Sequence, residues 1–322
     1  MEEKENLVEK DAEKQPVEVE TTKYPHASLQ KVENEREVFW KSYKIHNTLK
    51  MIVMMICLAA IIIAFIVFPK VLSNNPSLQT GLTIVVAIAA LGGTYGYSVY
   101  VRKKFDRKMK VYFDLYFNSV NDYVLGGKDF KEVELQNPGK ITLDEFNECK
   151  LYKDVVEAGS RGLTKFKYKG LDMSVVDCAG NVKDEKRMRP VFVGKMLRAK
   201  ASYKGENPVF VYLKGNERAL PPTNMEEIKN VLEDQKMVVY SNYKDWKKVL
   251  TGPVMKAIEG IKVNKILVDL AIAIYNEKVY VMMGYDDPLM VLPLQNEFDA
   301  KPTEIYKKDM AAVVKVVEAL NQ

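Results

Sequence analysis

The strongest constraint on the fold of this chain is an uncharged apolar run at residues 51–68, MIVMMICLAAIIIAFIVF. At about 1.5 Å rise per residue, an α-helix of this length covers roughly 27 Å, close to the hydrocarbon core of a bilayer. A second uncharged run, residues 82–101, follows after a short gap. The alternative for each run is a buried core helix, but uncharged core helices of this length are rare. We therefore predict a hairpin of two transmembrane helices.

The second run carries a stripe of small residues, namely Ala89, Gly92, Gly93 and Gly96. The Gly-x-x-x-Gly and Ala-x-x-x-Gly spacings place small side chains on one helix face, where a neighbouring helix can approach closely. We predict a helix-packing face here. Its nearest candidate partner is the first span, and a second copy of the chain is the alternative.

Lysine and arginine near the apolar runs predict the orientation. Five precede the first run, Lys70 alone lies between the runs, and six follow the second run. Because cytoplasmic flanks are enriched in these residues, we expect both termini in the cytoplasm and the protein in the inner, or plasma, membrane. Three cysteines are too few for a disulfide framework, so we expect free thiols in a reducing compartment.

The flanking segments predict the domain organisation. Residues 1–23 hold eight acidic residues against four lysines, with few apolar ones, which is typical of disorder. The complete assignment is a disordered acidic tail at 1–28, a juxtamembrane helix at 29–50, transmembrane helices at 51–68 and 82–101 joined by a short external turn at 69–81, an amphipathic basic helix at 102–125, and a cytoplasmic domain at 126–322.

The amphipathic helix at 102–125 allows two interpretations. It either packs on 29–50 and prolongs the hairpin into a cytoplasmic stalk, which we favour, or lies flat on the membrane. Its first turns carry six cations that are candidate lipid-headgroup contacts: Arg102, Lys103, Lys104, Arg107, Lys108 and Lys110. Each could contribute about 1 kcal/mol near an anionic leaflet. The simpler alternative is that these charges only set the orientation of the span.

The remaining sequence predicts an α+β domain. Short alternating apolar runs, expected to be strands, occur at 130–135, 164–168, 173–177, 190–193, 209–213 and 237–240. A hairpin is expected around Asn276 and Glu277, between strands at 268–274 and 278–283. Helices are expected at 225–233, 253–260 and 308–320, while 141–154 is ambiguous with a short helix. The mixed order favours α+β over a βαβ array.

Several stretches of this domain resemble an uncharacterised bacterial membrane family, domain of unknown function 3137. They are YKGLDMSVVD at 168–177, PVFVGKML at 190–197, MVVYS at 237–241 leading to VLTGPVM at 249–255, and KVYVM at 278–282 with the final helix. The resemblance implies two spans followed by a cytoplasmic α+β domain, but no activity. Relatives tend to carry an Asp and an Ala-Arg pair in the third stretch, where this chain has Tyr243 and Trp246-Lys247.

The domain lacks the residues that several kinds of catalytic and binding site need. The only histidines, His26 and His46, precede the first apolar run, so the domain can form neither Ser-His-Asp nor His-metal sites. No phosphate-binding or dinucleotide-binding glycine loop occurs. Cys178 at a strand end is a candidate nucleophile, but a buried inert thiol is the simpler interpretation. Asp286 and Asp287 could share a proton or hold a cation, or simply form a solvated turn.

We therefore predict no catalytic, cofactor-binding or metal-binding residues and no nucleic-acid partner. The expected partners are the lipid bilayer and either another protein or a second copy of the chain. Three functions stay open. The favoured one is a membrane-anchored cytoplasmic binding or scaffold module, which should present an apolar surface patch and lack acids of perturbed pKa. The alternatives are a lipid-headgroup-sensing domain built on a small β-barrel, and an enzyme using Asp, Glu, Lys or Cys chemistry.

Overall fold

The structure is a computed structural model that describes residues 23–136, 139–184, 187–213, 229–233, 237–286 and 292–322. Its helices are α1 (Ala27–Val71), α2 (Pro76–Leu125), α3 (Leu143–Asn147), α4 (Gly252–Glu259) and α5 (Lys301–Ala319), with a 3₁₀ turn at Trp246–Lys248. Its strands are β1 (Phe130–Leu135), β2 (Val155–Tyr168), β3 (Leu171–Asp184), β4 (Arg187–Lys200), β5 (Val209–Leu213), β6 (Asn230–Glu233), β7 (Met237–Ser241), β8 (Leu267–Tyr275) and β9 (Lys278–Tyr285).

The two N-terminal helices form a long antiparallel hairpin. Each merges a predicted span with its predicted flanking helix, giving 45 residues in α1 and 50 in α2. The predicted external turn at 69–81 is wrong in its bounds, because only residues 72–75 separate the helices. Pro69 lies inside the last turn of α1, and Pro76 opens α2, where a missing N–H costs nothing. The Asn75 side chain caps α2 by accepting a hydrogen bond from the Leu78 N–H at 3.3 Å.

The outer half of this hairpin contains the apolar runs 51–68 and 82–101. We call this half bare, because the rest of the chain covers few of its side chains. Both helices are long and apolar enough to cross a membrane, yet only 6% of the most apolar window of α1 and 11% of that of α2 is buried. A core helix of a soluble protein would be mostly covered by its own chain. The exposed outer half therefore differs from the buried core helix that was the alternative interpretation of these runs.

The inner half of the same hairpin forms part of the core of the domain. Leu29 and Val32 of α1 are fully buried there. The buried residues that α2 contributes are Tyr112, Tyr116, Phe117, Val120, Val124 and Leu125. The expected packing of residues 102–125 on the segment before the first apolar run is observed, since one apolar stripe of α2 first packs on α1 and then on the sheet.

Within the described residues, the strands form one sheet in the order β1-β2-β3-β4-β9-β8-β5-β7-β6, with every neighbouring pair antiparallel. This confirms the mixed α+β class. The predicted hairpin at Asn276 and Glu277 is also confirmed, and both residues have positive φ, as a tight two-residue turn requires. The small β-barrel expected for a lipid-sensing domain is wrong for the part of the chain described.

Strands β2, β3 and β4 are each 14 residues long and extend well beyond the short runs predicted at 164–168, 173–177 and 190–193. Gly162 and Gly180 lie inside these long strands, and each makes room for an aromatic ring. A Cβ at Gly162, where φ is +67°, would overlap the Phe117 ring of α2. A Cβ at Gly180 would come within 2.6 Å of the Phe146 ring of α3.

Three other expectations need correction. The helix at 225–233 is wrong where it is described: Asn230–Glu233 is an edge strand paired with β7, and 225–228 lie outside the described residues. The tail at 1–28 is too long, because Tyr24 is buried against Phe298 and α1 begins at Ala27, whereas 1–22 lie outside the described residues. The KDEKRMR segment at 183–189, whose mixed charges predict an exposed loop, instead contributes Lys183 and Asp184 to β3 and its last three residues to β4, and 185–186 lie outside the described residues.

A strap at residues 292–300 fastens the stalk to the domain. Arg36 donates two hydrogen bonds to Glu33, at 2.7 and 2.6 Å, and both side chains are buried. Glu33 also accepts from the Phe298 N–H at 2.9 Å, and Tyr112 donates to the Pro293 carbonyl at 2.9 Å. Burial alone would raise the pKa of Glu33, but the hydrogen bonds from Arg36 and Phe298 lower it. This carboxylate therefore ties α1 to the strap.

We predict that Gly162→Ala lowers the free energy of unfolding by about 2–4 kcal/mol, the sum of left-handed backbone strain and overpacking against Phe117. Gly159→Ala is the matched control on the same strand, because a Cβ there meets nothing within 4 Å. Thermal unfolding of the detergent-solubilised chain, followed by tryptophan fluorescence, measures both. Equal midpoints for the two variants would contradict the role assigned to Gly162.

Candidate functional sites

The six cations predicted to touch lipid headgroups lie on α2 between its bare and buried halves, but they divide into two groups. Arg102, Lys103, Arg107 and Lys110 are exposed. The half-buried Lys104 and the exposed Lys108 turn toward α1: the Nζ of Lys104 lies 3.0 Å from His46 Nε2, and the Nζ of Lys108 donates to Ser42 Oγ at 3.2 Å. Two of the six therefore help join the stalk helices, which the sequence pattern did not indicate.

An elongated groove of about 550 Å³ runs along another side of the stalk, between α1 and α2. Its α1 wall is formed by Phe39, Tyr43, Asn47 and Lys50, and its α2 wall by residues from Tyr95 to Met109, including Ser98, Arg102, Phe105 and Asp106. The groove reaches the ends of both predicted spans, because Lys50 directly precedes the first apolar run and Arg102 directly follows the second. Charged side chains and aromatic rings therefore line the same groove.

The small-residue face does not contact α1. Gly92, Gly93 and Gly96 are exposed, a Cβ added at any of them meets nothing within 4 Å, and Ala89 is exposed as well. The neighbouring Ala90 is buried instead. The expectation that the first span covers this face is therefore wrong, because α2 presents a different side to α1. The face remains available to a partner helix.

A second large groove, of about 520 Å³, crosses the sheet face opposite α2 at the end of strands β1, β2, β3, β4 and β9. Cross-strand pairing places Lys165, Ser174, Arg198 and Tyr280 side by side on four neighbouring strands. Charges of both signs line the groove: Glu132, Glu134, Glu148, Lys165, Lys167, Asp172, Arg198, Lys200 and Lys278.

Some of these charges neutralise one another, and some do not. Lys167 pairs with Glu132 at 2.6 Å, and Glu148 accepts a hydrogen bond from the Tyr280 hydroxyl at 2.9 Å. Among the described residues, Lys165 and Lys200 have no ion-pair partner within 4.0 Å. The groove thus offers exposed cations beside the Ser174 hydroxyl.

A buried ion pair lies on the helix-covered face of the sheet. Lys195 pairs with Asp177, directly opposite it on β3, and the Nζ of Lys195 stands 4.0 Å from the centre of the Tyr306 ring of α5. Arg161, in register on β2, approaches Asp177 Oδ2 at 3.8 Å. A cavity of about 240 Å³ opens beside this row, floored by small residues such as Gly159, Ala179 and Gly194. Burying a charged pair at a helix–sheet contact makes its geometry specific rather than strongly stabilising.

The structure places Cys178 on the opposite sheet face from Asp177, because neighbouring strand residues point to opposite sides. Burial raises the pKa of the Cys178 thiol well above its usual value, and it raises that of Cys149 to about 12. Because the thiolate is the reactive form, neither group is activated as a nucleophile. The interpretation of Cys178 as a buried thiol is confirmed.

Two buried acids have perturbed pKa values that the sequence did not indicate. Burial raises the pKa of Asp269 on β8 from 3.8 to about 7, and its Oδ1 has no hydrogen-bond partner among the described residues. Burial also raises the pKa of Asp309 to about 6, although a hydrogen bond from Tyr285 at 3.0 Å opposes the shift. The expectation of a domain without perturbed acids is therefore wrong. Neither acid lines the grooves or the cavity described above.

The residues considered for metal and paired-acid chemistry are only partly described. In the part of the chain that the structure describes, no group of three or more His, Cys, Asp or Glu side chains is placed to hold a metal ion. His26 serves as the N-cap of α1 by accepting from the Ser28 N–H. Of the predicted Asp286–Asp287 pair, Asp287 lies outside the described residues.

Comparisons with known proteins leave the family open. No protein-family model matches the chain, and no curated protein sequence does. The resemblance to domain of unknown function 3137 therefore stays a prediction. A solved structure, the mycobacterial trehalose monomycolate transport factor A, TtfA, is similar over 64% of this chain and 94% of its own length, at 11% sequence identity and a TM-score of 0.36. Similarity this distant carries no argument about function.

We predict that the contribution of Asp269 to the stability of the domain falls as pH rises from about 4 to 7, because the folded state holds a proton on Asp269 that the unfolded chain releases near pH 3.8. Asp269→Asn keeps the shape without the charge and should raise the free energy of unfolding at pH 8 by about 2–4 kcal/mol. Unfolding midpoints measured between pH 4 and 8 test this expectation. Exposed Asp172→Asn is the control and should keep the wild-type pH slope; a D269N profile parallel to wild type would contradict the assignment.

Proposed function

We propose that this chain is a two-span membrane protein whose α+β domain lies at the cytoplasmic surface and acts by binding a partner. One observation supports this proposal above the others. The same two helices are bare and apolar at one end and form part of the core of the domain at the other. Such a pair both anchors the domain and fixes its orientation.

The rigidity of the connection favours a positioned binding module over a loosely tethered domain. The buried Glu33–Arg36 pair, the Phe298 N–H and the Tyr112 hydroxyl all hold the strap against the stalk. A flexible linker would let the domain sample many orientations, whereas continuous helices hold one surface at a constant height and angle. A partner arriving from the cytosol would therefore meet the same face each time.

The 520 Å³ groove is the surface that we assign to this partner. Its size is in the range of ligand sites, and its exposed Lys165 and Lys200 stand among carboxylates, which suits a protein segment of mixed charge. The raised pKa values of the Cys149 and Cys178 thiols argue against an enzyme that uses a cysteine nucleophile. Asp269 and Asp309, the acids with raised pKa values, do not line this groove and therefore do not make it a site for carboxylate catalysis.

Lipid-headgroup contact is a second candidate function, and a specific observation favours it. Arg102, Lys103, Arg107 and Lys110 are exposed on α2 immediately after the apolar run. In the proposed orientation they face the inner leaflet, where each cation contributes about 1 kcal/mol toward anionic lipid. Because these residues belong to the stalk, this contact and the partner-binding groove can operate together.

Association of two copies through Ala89, Gly92, Gly93 and Gly96 remains part of the proposal. The face is exposed along the bare half of α2, and small residues permit close helix contact within a bilayer.

We expect labelling of introduced cysteines to establish the topology. Ser73→Cys lies in the turn between α1 and α2 and should react with an impermeant maleimide in intact cells. Lys308→Cys, exposed on α5, should react only after permeabilisation. The background is low because Cys149 and Cys178 are buried and Cys57 lies within the proposed first span. Labelling of Lys308→Cys in intact cells, or recovery of the chain in the soluble fraction, would contradict the proposal.

Photo-crosslinking tests the partner-binding groove. A photoreactive amino acid at position 174 should capture a defined partner, and Lys165→Glu with Lys200→Glu should reduce capture about tenfold or more, as expected when charge complementarity is reversed at two positions. Lys256→Glu with Lys265→Glu changes the charge equally at exposed sites outside the groove and should have little effect. Equal losses from both double variants would indicate non-specific electrostatics.

A further inference from the structure

The stalk groove between α1 and α2 carries charges that the fold leaves unused. Lys50 from α1 and Arg102 from α2 line it, together with Asp106 one turn further along α2. Among the described residues, none of the three has an ion-pair partner within 4.0 Å. Arg102 and Asp106 have the helical spacing that often forms a salt bridge, yet they do not pair here. From the apolar runs toward the domain, the groove therefore presents two cations and then one anion.

The order of these charges follows from the antiparallel pairing of the helices. Contacts of His46 with Lys104 and of Ser42 with Lys108 set the helix register. Lys50, Ser98 and Arg102 therefore lie at the end of the groove near the apolar runs. Asp106 lies farther toward the domain, about one helical turn of 5.4 Å beyond Arg102. The Phe105 and Tyr43 rings, 5.3 Å apart between centroids, form the floor.

We propose that this groove binds the headgroup of a phospholipid carrying a primary ammonium group, of the ethanolamine type. The phosphodiester lies between Lys50 and Arg102, within reach of the Ser98 hydroxyl, and the ammonium donates hydrogen bonds to Asp106. A negative phosphate followed by a positive amine is the complement of the charge order in the groove. A choline headgroup has no N–H to donate to Asp106, so the groove discriminates against it.

This inference rests on the proposed membrane insertion, because it needs Lys50 and Arg102 at the level of the headgroups. It differs from the simple attraction of a basic cluster to anionic lipid in two ways. It takes a residue from each helix, and it requires an acid. The cations of α2 outside the groove, Lys103 and Arg107, have no part in it.

Native mass spectrometry of the full chain, released from detergent with equimolar ethanolamine and choline phospholipids of identical acyl chains, tests the proposal. We expect about tenfold more bound ethanolamine lipid, the effect of one hydrogen bond to a charged group. Asp106→Asn should remove most of this preference, whereas Lys50→Gln with Arg102→Gln should weaken binding of both lipids. Lys256→Gln with Lys265→Gln removes the same charge at exposed positions outside the stalk and should leave both properties unchanged.

Each result has a defined consequence. Equal binding of the two lipids by the wild-type chain, or an unchanged preference in Asp106→Asn, overturns the headgroup assignment. A third arm adds an anionic phospholipid with a glycerol headgroup. Stronger binding of this lipid than of the ethanolamine lipid would show that the cations act without Asp106 and would also overturn the headgroup assignment. Failure of the proposed function is distinguishable, because a chain that does not enter membranes would be recovered soluble without detergent.

Discussion

The aromatic stripe of α2 packed on the sheet is the contact on which the rest of the structure depends. Tyr116 and Phe117 are nearly inaccessible to solvent, and the Phe117 ring occupies the space that Gly162 leaves on β2. Each large buried ring contributes on the order of 2–3 kcal/mol of apolar burial. Because the stripe belongs to the helix whose other half is bare, this packing joins the apolar hairpin and the α+β domain into one body.

Buried polar groups fix the relative positions of the helices and strands, because apolar packing alone is not directional. The Glu33–Arg36 pair is satisfied by two mutual hydrogen bonds and by the strap backbone, so its burial fixes the position of α1 along the domain. Lys195 and Asp177 do the same between β3, β4 and α5. Asp269 differs, since its unpartnered Oδ1 makes the folded state depend on protonation.

Local patterns predicted the elements of the fold better than their extents. The apolar runs, the stripe of α2 and the Asn276–Glu277 turn are encoded by neighbouring residues, so they could be located from sequence. The lengths of β2, β3 and β4 could not, because Gly162 and Gly180 act through rings distant in sequence. The Asn230–Glu233 strand was missed for the same reason: its pairing with β7 overrides a helical pattern.

The candidate sites show the same limit. Sequence identified the cations after the second run, but only the helix register separates Lys104 and Lys108, which bind α1, from Arg102, which faces a groove with Lys50. A single Asp within the apolar stretch LVDLAIAIY of β8 was the only signal for Asp269. The 520 Å³ groove had no signal, because its walls come from strands far apart along the chain.

The unbroken course of α2 has a mechanical consequence. Its 50 residues form a rod of roughly 75 Å that leaves the apolar region and enters the domain without a hinge. A twist applied to one end must appear at the other, since hydrogen-bonded helices resist torsion along their axis. A change in tilt or azimuth of the hairpin would therefore rotate the whole sheet with it, so that under the proposed membrane insertion a displacement of the hairpin in the bilayer would move the surface of the domain.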